Sequence, residues 1–167
     1  RVPIFDLDES EWDKVIDVNL KGVFLFSKAF SKQLILQNQG GKIINISSIA
    51  GKKGSATFGA YNASKAGVIR LTESIALDLA KYNINVNSVC PSWVDTERVD
   101  VYVEHLYQDN ISHKEKRDLH LSSIESSVPL GRYASSDDVA KAVAFLSSEE
   151  SSFVTGASLN VSGGIIA

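Results

Sequence analysis

Between two long helical stretches the chain carries Lys42-Ile43-Ile44-Asn45-Ile46, an apolar run bounded by Gly40-Gly41 before it and Ser47-Ser48 after it. A short apolar run closed by turn residues predicts a strand covered on both faces, and such strands belong to parallel sheets with helices packed on them. Further strands are predicted at 85–89, within Asn85-Val86-Asn87-Ser88-Val89, and at 157–161 near the end of the chain. Helices are predicted from a capping box at Ser10-Glu11-Trp12-Asp13 to about residue 38, over 61–81, and from a second capping box at Ser135-Ser136-Asp137-Asp138. Helices alternating with buried strands argue for an α/β fold with a doubly wound parallel sheet, the whole of 1–167 forming a single domain.

The balance of charge narrows the partners. Seventeen basic against twenty acidic side chains leave a net charge of −3, with no basic run. Neither nucleic acid nor an anionic membrane is expected as a partner. No apolar stretch approaches the ~20 residues of a membrane span, and Arg1-Val2-Pro3-Ile4-Phe5-Asp6 is no secretory signal. The single cysteine, Cys90, cannot form an internal disulfide and suits a reducing, cytoplasmic setting. Beside Pro91 at a strand end it reads as a small core residue rather than a nucleophile.

Chemistry is concentrated at four positions. Tyr61 and Lys65, in Tyr61-Asn62-Ala63-Ser64-Lys65-Ala66-Gly67, stand one helical turn apart and project from one face. An ammonium beside a phenol eases loss of the phenolic proton, which suits proton transfer to and from an alcohol or ketone. Ser48 follows the first strand, at the carboxyl end where ligands bind in open α/β sheets. Asn19, in Asp17-Val18-Asn19-Leu20, puts an amide in a strongly apolar helix, where it is costly unless hydrogen-bonded.

In order and spacing, Asn19, Ser48, Tyr61 and Lys65 resemble the catalytic tetrad of the short-chain dehydrogenases/reductases. Leu20-Lys21-Gly22-Val23-Phe24 resembles that family's central helix, and Asn45-Ile46-Ser47-Ser48-Ile49-Ala50-Gly51 its serine loop. Asn85-Val86-Asn87-Ser88-Val89-Cys90-Pro91, Pro129-Leu130-Gly131-Arg132 and the tail from Thr155 to Gly164 resemble further landmarks, so the likeness runs from Glu11 to Gly164. It implies a Rossmann-like fold, NAD or NADP as cofactor, and interconversion of a secondary alcohol and a ketone. Tyr61 would exchange the proton with the substrate oxygen, Ser48 would donate a hydrogen bond to it, and Lys65 would reach the nicotinamide ribose. Asn19 would hold a helix distortion and a water linking Lys65 to solvent. Pro91-Ser92-Trp93-Val94-Asp95-Thr96 resembles the loop over the nicotinamide, so Pro91, Val94 and Thr96 join Tyr61 and Lys65 as cofactor-binding residues. Ser92 replaces the family's usual glycine there, and Trp93 either walls the substrate or fills core. The family's subunits pack through the helices that correspond to those around Phe24 and Tyr61, which implies a homodimer or homotetramer.

Other family features have no counterpart. Nothing resembles the glycine-rich turn that holds the cofactor pyrophosphate, nor the residue that selects NAD over NADP. The chain therefore reads as the back portion of such a fold without its first strands, leaving an exposed apolar sheet edge.

The segment 97–128 reads as a long irregular stretch forming a polar, mobile substrate lid. It holds His105, His113 and His120 among Tyr102, Tyr107, Asp109, Asn110 and Lys114. The histidine spacing fits no compact metal site. Its polarity favours a small hydroxylated substrate, a polyol, sugar or diol, over the competing 3-oxoacyl thioester. A reading from a different class is a non-catalytic fragment that self-associates through its two long helices.

Overall fold

The computed structural model describes residues 1–107 and 111–166; Asp109 and Asn110 of the predicted lid lie outside the described residues. Helix α1 (Glu9–Ile16) passes through a π turn (Asp17–Lys21) into α2 (Gly22–Gln37), and strand β1 (Gly41–Ile46) follows. Helix α3 (Gly59–Leu79) leads to β2 (Ile84–Pro91), and α4 (Glu97–Leu106), α5 (His113–Glu125) and α6 (Ser136–Ser147) precede β3 (Ser158–Val161).

The three strands lie in the order β1-β2-β3 and all pairs are parallel, with Ile43 opposite Val86 and Val89 opposite Leu159. Alternation along a strand then assigns faces. Ile43, Ile84 and Val86 turn toward α2 and α3, where they bury Ala76 and Leu79 and pack Leu34, Ile35 and Ile75. The opposite face, with Leu159 and Val161, lies against α6. The sheet is thus covered on both sides, as its continuous apolar strands require. Among the described residues β1 has no strand on its outer edge, and Ile46 is exposed there.

Two polar residues inside this sandwich are fully accounted for. Asn45 donates to Thr72 Oγ1 at 3.0 Å and accepts from Ser27 at 3.4 Å, tying β1 to α3 and α2. Asn87 donates to the Val154 carbonyl at 2.9 Å and accepts from the Ala157 amide at 2.9 Å, clipping the approach to β3 onto β2. Burial of an amide is tolerated when both its donor and acceptor are satisfied.

The capping box at Ser135 forms as the sequence predicts, with Ser135 and Asp138 exchanging both hydrogen bonds. The one predicted at Ser10 does not. The helix starts two residues earlier, Asp8 is its N-cap residue, and no side-chain cap bond forms. The Asp8 carbonyl takes the amides of Glu11 and Trp12 instead, so Ser10 lies inside the helix.

The stretch predicted to be irregular is mostly helical. Helices α4 and α5 pack together over a small core of Val99, Val103 and Tyr133, against which Trp93, Tyr107, Leu121 and Ile124 lie. Ser112 opens α5 with a capping box to Glu115. Polar residues on the outer faces are paired: Asp95 and Asp100 with Arg117, and Glu104 with Lys116 at 2.7 Å and His113 at 2.5 Å.

Candidate active site

The carboxyl ends of β1 and β2 carry the residues singled out by the sequence. Ser48 follows β1 directly and is the N-cap of a single 3₁₀ turn, its Oγ accepting the Ala50 amide at 3.1 Å. The same hydroxyl lies 3.4 Å from the carbonyl of Pro91, which ends β2. Tyr61 and Lys65 stand on the first turns of α3, and the Lys65 ammonium sits 5.8 Å from the centre of the Tyr61 ring. Lys65 Nζ donates to the carbonyl of Ile46, the last residue of β1, at 3.1 Å. No carboxylate pairs with it among the described residues. Burial and then the nearby Arg98 guanidinium pull the Lys65 ammonium below its ordinary value.

Two serines fix this corner. Ser47 Oγ donates to the Lys65 carbonyl at 2.8 Å, and Ser64 Oγ to the Tyr61 carbonyl at 2.7 Å. Gly51 allows a close backbone approach: a Cβ there would fall 2.7 Å from the Lys65 carbonyl carbon and oxygen. Asn19 lies in the π turn, and its amide donates to Ser64 Oγ at 3.2 Å. It therefore meets α3 at the neighbour of Lys65. Leu20 fills the notch left by Gly67, where a Cβ would come within 2.7 Å. Ser47, Ser64, Gly51 and Gly67 were not singled out by sequence. The small residues flanking Tyr61 and Lys65 were the available signal, since a helix pressed against a loop and a π turn needs them.

The loop after Pro91 is held by β3, by Ala134 and by Arg117. Ser92 donates its amide to the Val161 carbonyl at 3.0 Å and is not among the residues with left-handed φ, so the glycine replacement carries no backbone strain. Val94 bridges Ala134, but the bonds of that bridge run through Asp95 N–H and Trp93 C=O. The amide and carbonyl of Val94 itself have no partner among the described residues. Thr96 is the exposed N-cap residue of α4 and makes no side-chain cap bond. Trp93 is half-buried against the core between α4 and α5 and lies 6.1 Å from Tyr102 and 5.8 Å from His120, centre to centre.

The three histidines do not meet. His105 bonds the Val101 carbonyl, His113 bonds Glu104 and Asp100, and His120 is buried among Trp93, Tyr102, Tyr107 and Tyr133. Burial, then the charge of Arg1, holds the His120 imidazole below its ordinary value. The unfolded chain therefore binds a proton near pH 6.5 that the folded chain refuses, so His120 costs stability as pH falls below that value. His113 acts in the opposite sense, because Glu104 raises its value and its contribution fades as pH rises, but it is half-exposed and screened. Between about pH 7 and pH 5 the urea midpoint is expected to fall less steeply in His120→Leu than in the parent. Equal slopes would remove His120 from this account.

Relatives of known activity share this arrangement of elements. The family model described as enoyl-(acyl carrier protein) reductase matches residues 1–166. The chain is 39% identical over 163 residues to galactitol 2-dehydrogenase of Agrobacterium fabrum, covering 97% of this chain and 62% of that protein. It is 41% identical over 162 residues to (3R)-3-hydroxyacyl-CoA dehydrogenase of Rattus norvegicus, covering 97% of this chain and 57% of that protein. A crystal structure of NAD+-bound xylitol dehydrogenase superposes with a TM-score of 0.83 at 36% identity, covering 97% of this chain and 63% of that one. The chain thus spans about three-fifths of the length of the relatives it matches. With one family model running from Arg1 to Ile166 and relatives this similar along the same stretch, the chain belongs to the short-chain dehydrogenase/reductase family.

Proposed function

We propose that this chain carries the catalytic corner of a nicotinamide-dependent oxidoreductase that interconverts a secondary alcohol and a ketone. The observation that supports it most is Lys65: its ammonium reaches from α3 across the Tyr61 ring to the end of β1, one residue from Ser47 and two from Ser48. The unpartnered amide and carbonyl of Val94 offer one donor and one acceptor, matching a nicotinamide carboxamide. NAD or NADP therefore fits the residues present, held by Val94 and Thr96 on one side and by Tyr61 and Lys65 on the ribose side, with Pro91 shaping the loop. When bound, the nicotinamide takes a hydride from the alcohol carbon or returns one to the ketone carbon.

The chain's own side chains handle the proton. In oxidation, Tyr61 Oη accepts the hydroxyl proton as the carbon–oxygen double bond forms; in reduction it returns that proton to the substrate oxygen. Ser48 Oγ, turned from Pro91 to the substrate, donates a hydrogen bond to the same oxygen, a contribution on the order of a few kcal/mol at the transition state. Lys65 holds positive charge beside the phenol. Asn19 keeps the π turn against Ser64, leaving room for a water between Lys65 and solvent.

A polyol, sugar or small diol is the substrate class favoured by the polar outer surface of the segment 97–128, which would act as the lid of a single domain. The relative acting on galactitol and the xylitol dehydrogenase support this choice, whereas the rat relative supports the acyl thioester. The apolar lid interior of Val99, Val103, Leu121 and Ile124 is spent on packing α4 against α5. Assembly as a homodimer or homotetramer is supported by Leu25, Phe26 and Phe30, exposed together along α2. The buried, unpaired thiol of Cys90 suits a cytoplasmic, reducing setting. Among the described residues no helix is long and apolar enough to cross a membrane.

The test is turnover. Galactitol, xylitol and a 3-hydroxyacyl-CoA are each offered with NAD+ and with NADP+, and reduced nicotinamide is followed by its near-ultraviolet absorbance. Turnover of a polyol is expected. Turnover of the thioester alone selects the second substrate class, and nicotinamide-independent self-association with no turnover sinks the enzymatic reading.

A further inference from the structure

Near the Tyr61 side of the site lies a cation the reaction does not use. The Arg1 guanidinium stands 4.5 Å from the centre of the Phe58 ring and 4.5 Å from that of Tyr102, so two rings from different parts of the fold hold it. Its backbone is tied in beside them, the Val2 amide donating to the Thr57 carbonyl at 3.2 Å. Thr57 has a φ of 65°, a left-handed conformation that a β-branched residue adopts only under constraint, at the turn from which Phe58 extends. The Phe58 ring in turn meets the Tyr61 ring edge-on at 6.2 Å. One aromatic ring therefore separates Arg1 from the phenol that exchanges the substrate proton.

Arg1 lacks a carboxylate among the described residues, and three acidic residues around α4 are already taken. Asp95 and Asp100 bind Arg117, and Glu104 binds His113 and Lys116. Stacking on aromatic faces satisfies the π surface of a guanidinium and leaves its N–H edge free. That edge matches a planar carboxylate or a phosphate, which it can bind through two parallel hydrogen bonds. Arg98 is a second cation without a carboxylate among the described residues, but its field acts on Lys65, on the ribose side of the proposed site. Arg1 faces Tyr102 and acts on His120 in the lid. The two cations thus stand on different sides of Tyr61, Arg98 toward Lys65 and Arg1 beyond Phe58 against Tyr102.

We propose that Arg1, clamped between Phe58 and Tyr102, binds an anionic group, phosphate or carboxylate, at the end of the substrate remote from the reacting carbon. This deepens the reading of the chain as an alcohol dehydrogenase and rests on it. Within the polyol and sugar class, it makes the preferred substrate one that also carries a phosphate or carboxylate.

Two measurements on the full protein test it. In the first, kcat/KM is compared for sorbitol and sorbitol 6-phosphate in the parent, Arg1→Lys and Arg1→Ala. The parent is expected to favour the phosphate ester, and Arg1→Ala to lose about 10- to 100-fold on that ester alone, the range for a charged hydrogen bond. Arg1→Lys, which keeps the charge without the planar fork, should fall between. Equal losses on both substrates, or no preference in the parent, overturn the proposal while leaving the dehydrogenase reading intact. In the second, inorganic phosphate is titrated against Trp93 emission in a Trp12→Phe background without nicotinamide. Saturable quenching that vanishes in Arg1→Ala supports the anion site even if neither sugar is turned over, and quenching unaffected by the substitution overturns it.

Discussion

Tyr61→Phe is expected to lower turnover by about two to four orders of magnitude, the range for loss of a positioned acid–base group, and to leave nicotinamide binding nearly unchanged. The ring that packs edge-on to Phe58 is retained, so the corner beside Lys65 keeps its shape. Only the oxygen proposed to carry the proton is lost. Steady-state kinetics measured beside nicotinamide titration separate the two effects. A phenylalanine variant with full turnover would exclude Tyr61 from proton transfer, whereas one that loses cofactor affinity to the same degree would make the hydroxyl a binding group.

The largest structural effect is expected at Asn87. Its side chain is 1% exposed and both of its ends are used, one on the Val154 carbonyl and one on the Ala157 amide. In Asn87→Ala, the Ala157 amide loses its partner, the Val154 carbonyl keeps only Asn85 Nδ2 at 3.1 Å, and a small void opens, at a combined cost of about 2–4 kcal/mol. The urea midpoint should fall with the slope of the transition unchanged. A cost below about 1 kcal/mol would mean that water replaces the amide and that the clip between β2 and β3 is dispensable.

The strands were legible because their apolar runs are short and closed by glycine and serine, a pattern that few alternatives share. The cap at Ser135 was legible because both partners of the box sit where the helix needs them. At the other helix start, sequence favoured Ser10 over Asp8, since a serine followed by an acidic residue imitates a box; the backbone instead satisfied those amides with the Asp8 carbonyl. The segment 97–128 defeated periodicity for a different reason. Its inward residue on α5 is His120, and a histidine counted as polar hides the buried stripe completed by Leu121 and Ile124. Order and spacing carried the site residues into view. The serines and glycines that hold them were invisible because their role is to be small or to bond a carbonyl, and neither leaves a spacing signature. Arg1 and Thr57 lay equally beyond reach, since a left-handed threonine has no sequence signal of its own.

The π turn at Asp17–Lys21 also changes how the first helix keeps time along its length. One residue more than an α-helical turn is inserted there, and each residue advances a regular helix by about 100°. The apolar stripe of α1, with Trp12, Val15 and Ile16, is therefore out of phase with that of α2, which turns Leu34 and Ile35 toward the sheet. A ruler of fixed period laid over both halves finds apolar residues on every side, although each half keeps a face of its own. The extra residue acts as a phase slip: it rotates the front of the helix onto α3 while the rear stays on the sheet, and Asn19 sits at the slip.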